Sequence, residues 1–130
     1  MKYSFESGAY YEGEMNDDTF EGHGKFVFCN GDVYEGEFAE DMFEGVGEYR
    51  YLSGDIYRGA FSKDRFHGIG TMFYKDGTME KGKFYNDQRV GKFYCKESEF
   101  YSEVIYQNDT TQKTREVIES DIPLEKRPIV

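Results

Sequence analysis

The chain has 130 residues, the size of one domain, and draws its apolar content mainly from 12 Tyr and 12 Phe, which it combines with 15 Gly. Its net charge of −10 excludes a nucleic-acid-binding role that depends on neutralising many phosphates. Two cysteines make no disulfide framework, no apolar run is long enough to span a membrane, and the start lacks a signal-peptide core, so we expect a cytoplasmic protein with free thiols.

Residues 1–10 have the pattern of a half repeat, the second strand of a unit that recurs along the chain with a period of 23 residues. Its residues Tyr3, Phe5 and Gly8 stand at the positions where later copies carry aromatic residues and glycine. A period of roughly 20 to 50 residues is typical of repeat architectures. This first segment therefore predicts a strand that belongs to the array rather than a loose tail.

Three full repeats follow, over residues 11–33, 34–56 and 57–79. Each predicts a β-hairpin, with a first strand of the type YEGEF and a second strand that carries a Gly-x-Gly pair. Because successive side chains of a strand point to opposite faces, each hairpin places its aromatic residues and glycines on one face. Glycine has no Cβ and leaves space for rings to lie across the backbone. We expect this structural role from Gly13, Gly36, Gly45, Gly47, Gly59, Gly68 and Gly70.

The periodicity weakens in residues 80–92, which we interpret as a decayed repeat. Glu80 replaces the tyrosine that begins each full repeat, and Phe93 stands where the second glycine of the pair is expected. Terminal copies of an array are usually atypical because they cap it. Residues 93–106 are aromatic and β-branched and predict additional edge strands. Residues 107–130 are polar and predict an extended tail, which is either disordered in the isolated protein or ordered as a docking peptide on a partner.

The pattern YEGEF…GxGxYxY…G at a period of 23 residues resembles the MORN repeat (membrane occupation and recognition nexus). The resemblance covers residues 3 to about 92, and the segment YEGEFAEDMFEGVGEYRYLSGDI, residues 34–56, is close to the family pattern. It implies an all-β fold: a single elongated, twisted antiparallel sheet of stacked hairpins over residues 1–92, with a non-repeat C-terminal extension. It also implies a scaffold or adaptor.

No residue pattern predicts catalysis or a bound metal or cofactor. The pairs Glu12/Glu14 and Glu35/Glu37 recur with the repeat, as structural positions do, whereas a catalytic pair would be single and set in a pocket. Neither histidine of the chain has Cys or His partners at metal-ligand spacing. We therefore expect no enzymatic activity, no catalytic residues, no metal and no cofactor.

Binding to a protein partner is the first function that the sequence favours. A one-layer sheet cannot bury both faces by itself, so its aromatic face should be partly core and partly docking groove. The residues expected to line this groove are Tyr34, Phe38, Tyr49, Tyr51, Tyr57, Phe61 and Tyr74. By family analogy, we expect a structural subunit of a ciliary or flagellar axoneme, or of another cytoskeletal assembly. Self-association through open sheet edges is compatible with this function.

Binding to a membrane surface is the alternative. Residues 11–56 are dominated by acidic side chains, whereas basic side chains become frequent in the region 58–92. There they could contact anionic phospholipid, although the net charge opposes such contact. The basic residues concerned are Lys63, Arg65, Lys75, Lys81, Lys83 and Arg89.

Overall fold

The protein, described over residues 1–129 by a computed structural model, is a single antiparallel sheet of eleven strands. Every strand pairs with its neighbours in the chain, so the spatial order follows the sequence order from β1 to β11. The strands are β1 Lys2–Ser4, β2 Tyr10–Asn16, β3 Thr19–Val27, β4 Val33–Ala39, β5 Met42–Arg50, β6 Ile56–Ser62, β7 Arg65–Phe73, β8 Met79–Tyr85, β9 Gln88–Glu97, β10 Phe100–Gln107 and β11 Thr110–Val117. The predicted all-β sheet of stacked hairpins is confirmed.

Each full repeat contributes one hairpin, β2–β3, β4–β5 and β6–β7. In the second repeat Tyr34 lies opposite Tyr49, and Gly36 lies opposite Gly47. The same register recurs between successive hairpins, where Gly24 lies opposite Gly36. The glycines therefore form a row across the sheet, with the aromatic residues on either side of it.

A β-bulge in the first strand of each repeat explains why its first aromatic residue is tyrosine. In the second repeat the register shifts between Gly36 and Phe38, which leaves Glu37 outside the regular ladder. The Tyr34 hydroxyl donates a hydrogen bond of 2.7 Å to the carbonyl oxygen of Glu37. Tyr11 and Tyr57 bind the equivalent carbonyls in the other two repeats. Phenylalanine would fill the same space but could not make this bond.

Two kinds of glycine occur in the array. A Cβ at Gly47 would lie 2.6 Å from ring carbon Cε1 of Tyr34, and one at Gly36 would lie 2.7 Å from the carbonyl oxygen of Val46. These glycines, with Gly13, Gly59 and Gly70, provide the expected space. The other two predicted structural glycines serve the backbone instead, because they have φ values that side chains rarely adopt: Gly45 at +70° and Gly68 at +102°.

The core lies on one face of the sheet, which we call the aromatic face. Tyr34 is fully buried, stacks on Phe43 with ring centroids 3.9 Å apart, and meets Phe38 and Phe61 edge-on at 5.1 and 5.0 Å. The same stack recurs as Tyr11 on Phe20 and Tyr57 on Phe66, each at 3.9 Å. Alternating stacked and edge-on contacts are favourable for aromatic rings. They form one continuous core along the array.

The C-terminal region departs from the sequence-based prediction. Residues 93–95 continue β9 rather than starting a separate strand, and Thr110–Val117, expected to lie in an extended tail, form β11 at the sheet edge. All but the last residue of β11 are exposed, so no apolar alternation marked this strand. Two short 3-10 helices follow, at Glu119–Asp121 and Leu124–Lys126. The last residue of the predicted tail, Val130, lies outside the described residues.

The segment after β11 packs on the face opposite the aromatic face. Ile122 is only 1% exposed and lies in a small cluster with Tyr94, Tyr101 and Val117. The Arg127 side chain donates a hydrogen bond of 2.9 Å to the Ile122 carbonyl oxygen. This region therefore has a second, smaller core. Residues 1–129 contain no helix with the length and apolar character needed to cross a membrane.

Candidate functional site: the aromatic face

Four of the seven residues predicted to line a groove are core residues instead. Tyr34 and Tyr57 have no exposed surface, so a partner cannot contact them while the sheet is folded, and Phe38 and Phe61 are only 4% exposed. Rings of neighbouring hairpins cover them, an effect that strand alternation alone does not predict. The other three predicted residues, Tyr49, Tyr51 and Tyr74, are half-buried at the surface of the aromatic core.

The accessible part of this face is a row of half-buried rings packed on that core. Sequence reasoning missed several of its members, although Phe28 stands one period before Tyr51 and could have been found by that symmetry. Phe28 and Tyr49 have ring centroids 5.7 Å apart, which places rings of adjacent hairpins side by side. The row consists of Phe26, Phe28, Tyr49, Tyr51, Phe66 and Tyr74.

Two open pockets lie along the aromatic face. The first, of about 430 Å³, is lined by Phe26, Phe28, Phe38, Asp41, Phe43, Tyr49 and Asp64. The second, of about 640 Å³, is lined by Tyr3, Phe5, Met15, Asp18, Phe20, Phe26 and Asp41. Every position of the second precedes its counterpart in the first by one period of 23 residues. The pocket is therefore a property of the repeat, and it combines aromatic walls with two aspartates.

A ladder of aspartates fixes one rim of these pockets. Asp41 Oδ1 accepts a hydrogen bond of 2.7 Å from the Phe20 N–H, and the Asp41 N–H donates to the Phe20 carbonyl. Asp64 binds the backbone of Phe43 in the same way, at 2.8 Å. Each link joins one hairpin to the next, so the loops are held in place. The second carboxylate oxygen of each aspartate has no protein partner among the described residues.

A buried aspartate stabilises the opposite rim. Asp32 accepts hydrogen bonds of 2.8 Å from the Tyr49 hydroxyl and from the Leu52 N–H. Burial alone would raise the pKa of Asp32, but these bonds hold it below its ordinary value. Conversely, burial and the Asp32 charge raise the pKa of Tyr49. The aspartate is therefore ionised at neutral pH, and it orients the ring of Tyr49.

The six basic residues predicted to contact an acidic partner do not share one surface. Lys63 and Arg65 lie at the β6–β7 turn, Lys75 lies in the turn at the other end of the hairpins, and Lys81 and Lys83 lie on the face opposite the aromatic face. The sixth, Arg89, is half-buried and belongs to a polar cluster. The described structure therefore offers no continuous basic face made of these six residues.

The polar cluster occupies the fourth hairpin, on the aromatic side, and the sequence did not predict it. Glu80 is 4% exposed and accepts hydrogen bonds from Tyr74, from Arg89 Nε at 2.6 Å and from Tyr106 at 2.9 Å. Burial opposes a charged guanidinium, but Glu80 and the other oxygens around Arg89 raise its pKa. Buried Glu80 and half-buried Arg89 therefore form an ion pair that ends the row of rings.

The aromatic face carries no arrangement suited to nucleophilic or metal chemistry. Burial, followed by the nearby charge of Glu80, raises the pKa of the Cys95 thiol to about 12, so this thiol is protonated and unreactive at neutral pH. Within residues 1–129 no cluster of three or more His, Cys, Asp or Glu side chains could hold a metal ion. What the arrangement offers is shape, aromatic surface and negative charge, which are properties of a binding surface.

Comparison with known proteins agrees with this description. The family model of the MORN repeat matches residues 11–33, 34–56 and 57–79, which together are more than half of the chain. The MORN repeat is a binding or scaffold repeat, often involved in protein or membrane binding, and is not an enzyme family. No curated protein matches the chain closely enough to count as a relative. The three matched segments coincide with the hairpins of the sheet, and the chain belongs to the MORN repeat family.

Proposed function

We propose that the chain is a non-enzymatic scaffold or adaptor that binds a protein partner along its aromatic face. The observation that carries this proposal is the row of half-buried rings with pockets that repeat along it. Rings such as these are already ordered by the core beneath them, so binding requires little further loss of side-chain entropy. Aromatic side chains are also the residue types that contribute most to protein interfaces.

The experiment is proximity labelling from the tagged protein in its own cell, with wild type and a groove variant side by side. The variant is Phe28→Ala with Tyr51→Ala, because both rings are half-buried and neither side chain makes a hydrogen bond to the described residues. The matched control is Val46→Ala with Tyr85→Ala, which removes exposed apolar surface from the opposite face. We expect the groove variant to lose neighbours that the control keeps. The same neighbours in all three would overturn the proposal.

The setting that we propose, a ciliary or flagellar axoneme or another cytoskeletal assembly, rests on family resemblance alone. The same labelling experiment tests it. Neighbours from the axoneme or the cytoskeleton would support this setting, whereas lipid kinases or membrane-junction proteins would replace it. Self-association is a further proposal for the free edges of β1 and β11, and light scattering of the purified chain tests it.

A membrane adaptor is the second candidate, favoured by one local feature. A cavity of about 420 Å³ on the face opposite the aromatic face is lined by four lysines, one glutamate and three larger apolar or aromatic residues: Lys81, Lys83, Lys92, Lys126, Glu125, Ile69, Val90 and Tyr94. Lysines near a membrane surface each contribute about 1 kcal/mol of attraction to anionic lipid. Sedimentation with vesicles that contain phosphatidylserine, at physiological salt, tests this candidate. Absence of the protein from the pellet would reject the membrane adaptor and leave the protein scaffold as the remaining candidate.

A further inference from the structure

Resting on the proposed function, we infer that the aromatic face recognises an extended partner segment that presents arginine or lysine side chains in register with the repeat. The cations would enter the recurring pockets, one per hairpin. The pockets are those centred on Phe20 and Phe43, and the sequence period places a third around Phe66.

The composition of the pocket is suited to a cation. In the pocket centred on Phe43 the ring centroids of Phe26, Phe43 and Tyr49 lie 4.7, 6.1 and 5.7 Å from that of Phe28. Aromatic faces attract cationic side chains within about 6 Å of the ring centroid. Asp41 and Asp64 add two negative charges at the rim, and no Lys or Arg lines either pocket. A partner with acidic side chains would be repelled here.

In the fourth hairpin an arginine takes the place of the ring on which each open pocket is centred. Arg89 stands one period after Phe66, which itself stands one period after Phe43. Its guanidinium donates 2.8 Å hydrogen bonds to the Tyr74 hydroxyl and to Asp109 Oδ1, and it lies 5.2 Å from the ring centroid of Tyr106. The molecule therefore already binds a guanidinium between aromatic rings and a rim aspartate.

The residues around Arg89 hold positions equivalent to those of the open pockets. Tyr74 stands two periods after Phe28, and Asp109 binds the backbone of Arg89 just as Asp64 binds that of Phe43. Glu80 is the extra element, and it holds the internal arginine permanently. Neither open pocket is lined by such a buried carboxylate, and Asp32 at the rim already accepts hydrogen bonds from the Tyr49 hydroxyl and the Leu52 N–H, so the pockets suit a cation that arrives with a partner and can leave again.

The spacing of the pockets sets the spacing of the cations. Successive pockets lie two strands apart, and at about 4.8 Å between neighbouring strands the distance from one pocket to the next is about 9.6 Å. A polyproline II segment advances about 3.1 Å per residue and has three residues per turn, so every third side chain recurs on one face after about 9.3 Å. A segment of the form Arg-x-x-Arg-x-x-Arg in this conformation would therefore place one guanidinium in each pocket.

The test measures binding of fluorescein-labelled peptides to the full chain by fluorescence anisotropy at low salt. The probe peptide is (Arg-Pro-Pro)₃, and the comparison peptides are one of the same composition with its three arginines adjacent and (Glu-Pro-Pro)₃. We expect the in-register peptide to bind about tenfold more tightly than the one with adjacent arginines, and the glutamate peptide to show no binding. Equal binding of the two arginine peptides, or no binding of either, would overturn the inference.

The charge variant is Asp41→Asn with Asp64→Asn. Asparagine keeps the Oδ1 acceptor that binds the Phe20 and Phe43 N–H groups, so only the negative charge is removed. The matched control is Glu12→Gln with Glu35→Gln, two exposed carboxylates on the opposite face. We expect about fivefold weaker binding of the probe peptide by the charge variant and less than a twofold change in the control. If the charge variant and the control lose the same binding affinity for the probe peptide, the loss would follow from the change in net charge alone, and this result would overturn the inference.

The two proposals fail separately. If Phe28→Ala with Tyr51→Ala loses its cellular neighbours while the Asp41→Asn/Asp64→Asn variant keeps them, the face binds a partner without reading its cations. That result would retain the proposed function and overturn the inference. If both variants keep their neighbours but the probe peptide binds in register, the pockets bind cations and the proposed cellular partner lies elsewhere.

Discussion

The second repeat and the fourth hairpin each place one aromatic ring over a glycine of the partner strand, but the ring comes from the first strand in one and from the second strand in the other. In the second repeat the ring of Tyr34, on the first strand, lies over Gly47 of the second. In the fourth hairpin the ring of Phe93, on the second strand, lies over Gly82 of the first, and a Cβ at Gly82 would be 2.6 Å from ring carbon Cε1. Each hairpin thus needs one ring across one glycine, and either strand can supply the ring.

This exchange changes what position 80 can hold. Since Phe93 fills the space of the missing tyrosine ring, Glu80 can replace that tyrosine and accept hydrogen bonds from Arg89, Tyr106 and Tyr74. A buried carboxylate is tolerated only with such partners, because an unpaired buried charge is very costly. The apparent decay of the fourth repeat is therefore a coordinated replacement at positions 80, 89 and 93.

The largest loss of stability should come from placing a glutamate in the second repeat at the position equivalent to Glu80. Tyr34→Glu removes the ring over Gly47 and the bond to the Glu37 carbonyl, and it buries a carboxylate without an arginine. We expect a loss of more than about 4 kcal/mol in the free energy of unfolding, measured by urea denaturation followed by circular dichroism. The control Tyr51→Glu, at a half-buried position of the same face, should lose about 1 kcal/mol. Similar losses in the two variants would contradict the comparison.

The next largest loss of stability is expected when only one of the three replaced positions, 80, 89 and 93, is changed back to the residue of a full repeat. Phe93→Gly alone should cost about 3 kcal/mol, because it leaves a cavity beside Phe84 and Tyr106. Combining it with Glu80→Tyr and Arg89→Phe recreates the pattern of a full repeat. We expect the free energy of unfolding of this triple variant, measured by the same urea titration, to lie within about 1 kcal/mol of that of the wild type, even though three residues are changed instead of one. A loss larger than that of Phe93→Gly would show that the positions are independent.

The sequence predicted the parts of the molecule that repeat and missed those that do not. Tyrosine, glycine and turn residues at a fixed period predicted the hairpins and their stacking. The separation of Tyr34, a core residue, from Tyr49, an accessible one, depends on rings of the next hairpin and cannot be read from one strand. The Glu80 cluster depends on residues up to 26 positions apart in the chain, and the exposed strand β11 has no apolar pattern.

A smaller effect concerns acid stability, where the repeat region and the C-terminal region use different partners. The pKa of Asp32 is lowered mainly by hydrogen bonds from Leu52 and Tyr49, against the effect of burial, whereas that of Glu103 is lowered first by Arg115. A carboxylate with a lowered pKa in the folded state stabilises above its unfolded pKa of about 4, and this contribution is lost as pH falls through the folded value. Thermal unfolding temperature should therefore fall as pH drops below about 4.

Two variants separate these contributions. Asp32→Asn and Glu103→Gln should each flatten the acid dependence of the unfolding temperature. Only the Glu103 contribution should shrink in 0.5 M NaCl, at a Debye length of roughly 4 Å, because its partner Arg115 is 59% exposed. An unchanged acid profile in both variants would contradict the assignment of these two carboxylates.

The smallest effect concerns the chemical reactivity of the two thiols. Cys29 lies exposed at a turn of the repeat region, whereas Cys95 lies in the fourth hairpin with its thiol donating to Glu80 Oε2 at 3.7 Å. Burial first, and then the charge of Glu80, raise the pKa of Cys95 to about 12, so little thiolate is present at pH 8. Mass spectrometry after brief treatment of the folded protein with iodoacetamide should show modification at Cys29 only. The Glu80→Gln variant removes only the charge and leaves the thiol buried, so Cys95 should react faster than in wild type but still more slowly than Cys29. Equal reactivity of the two cysteines in wild type would contradict the closed cluster described for the fourth hairpin.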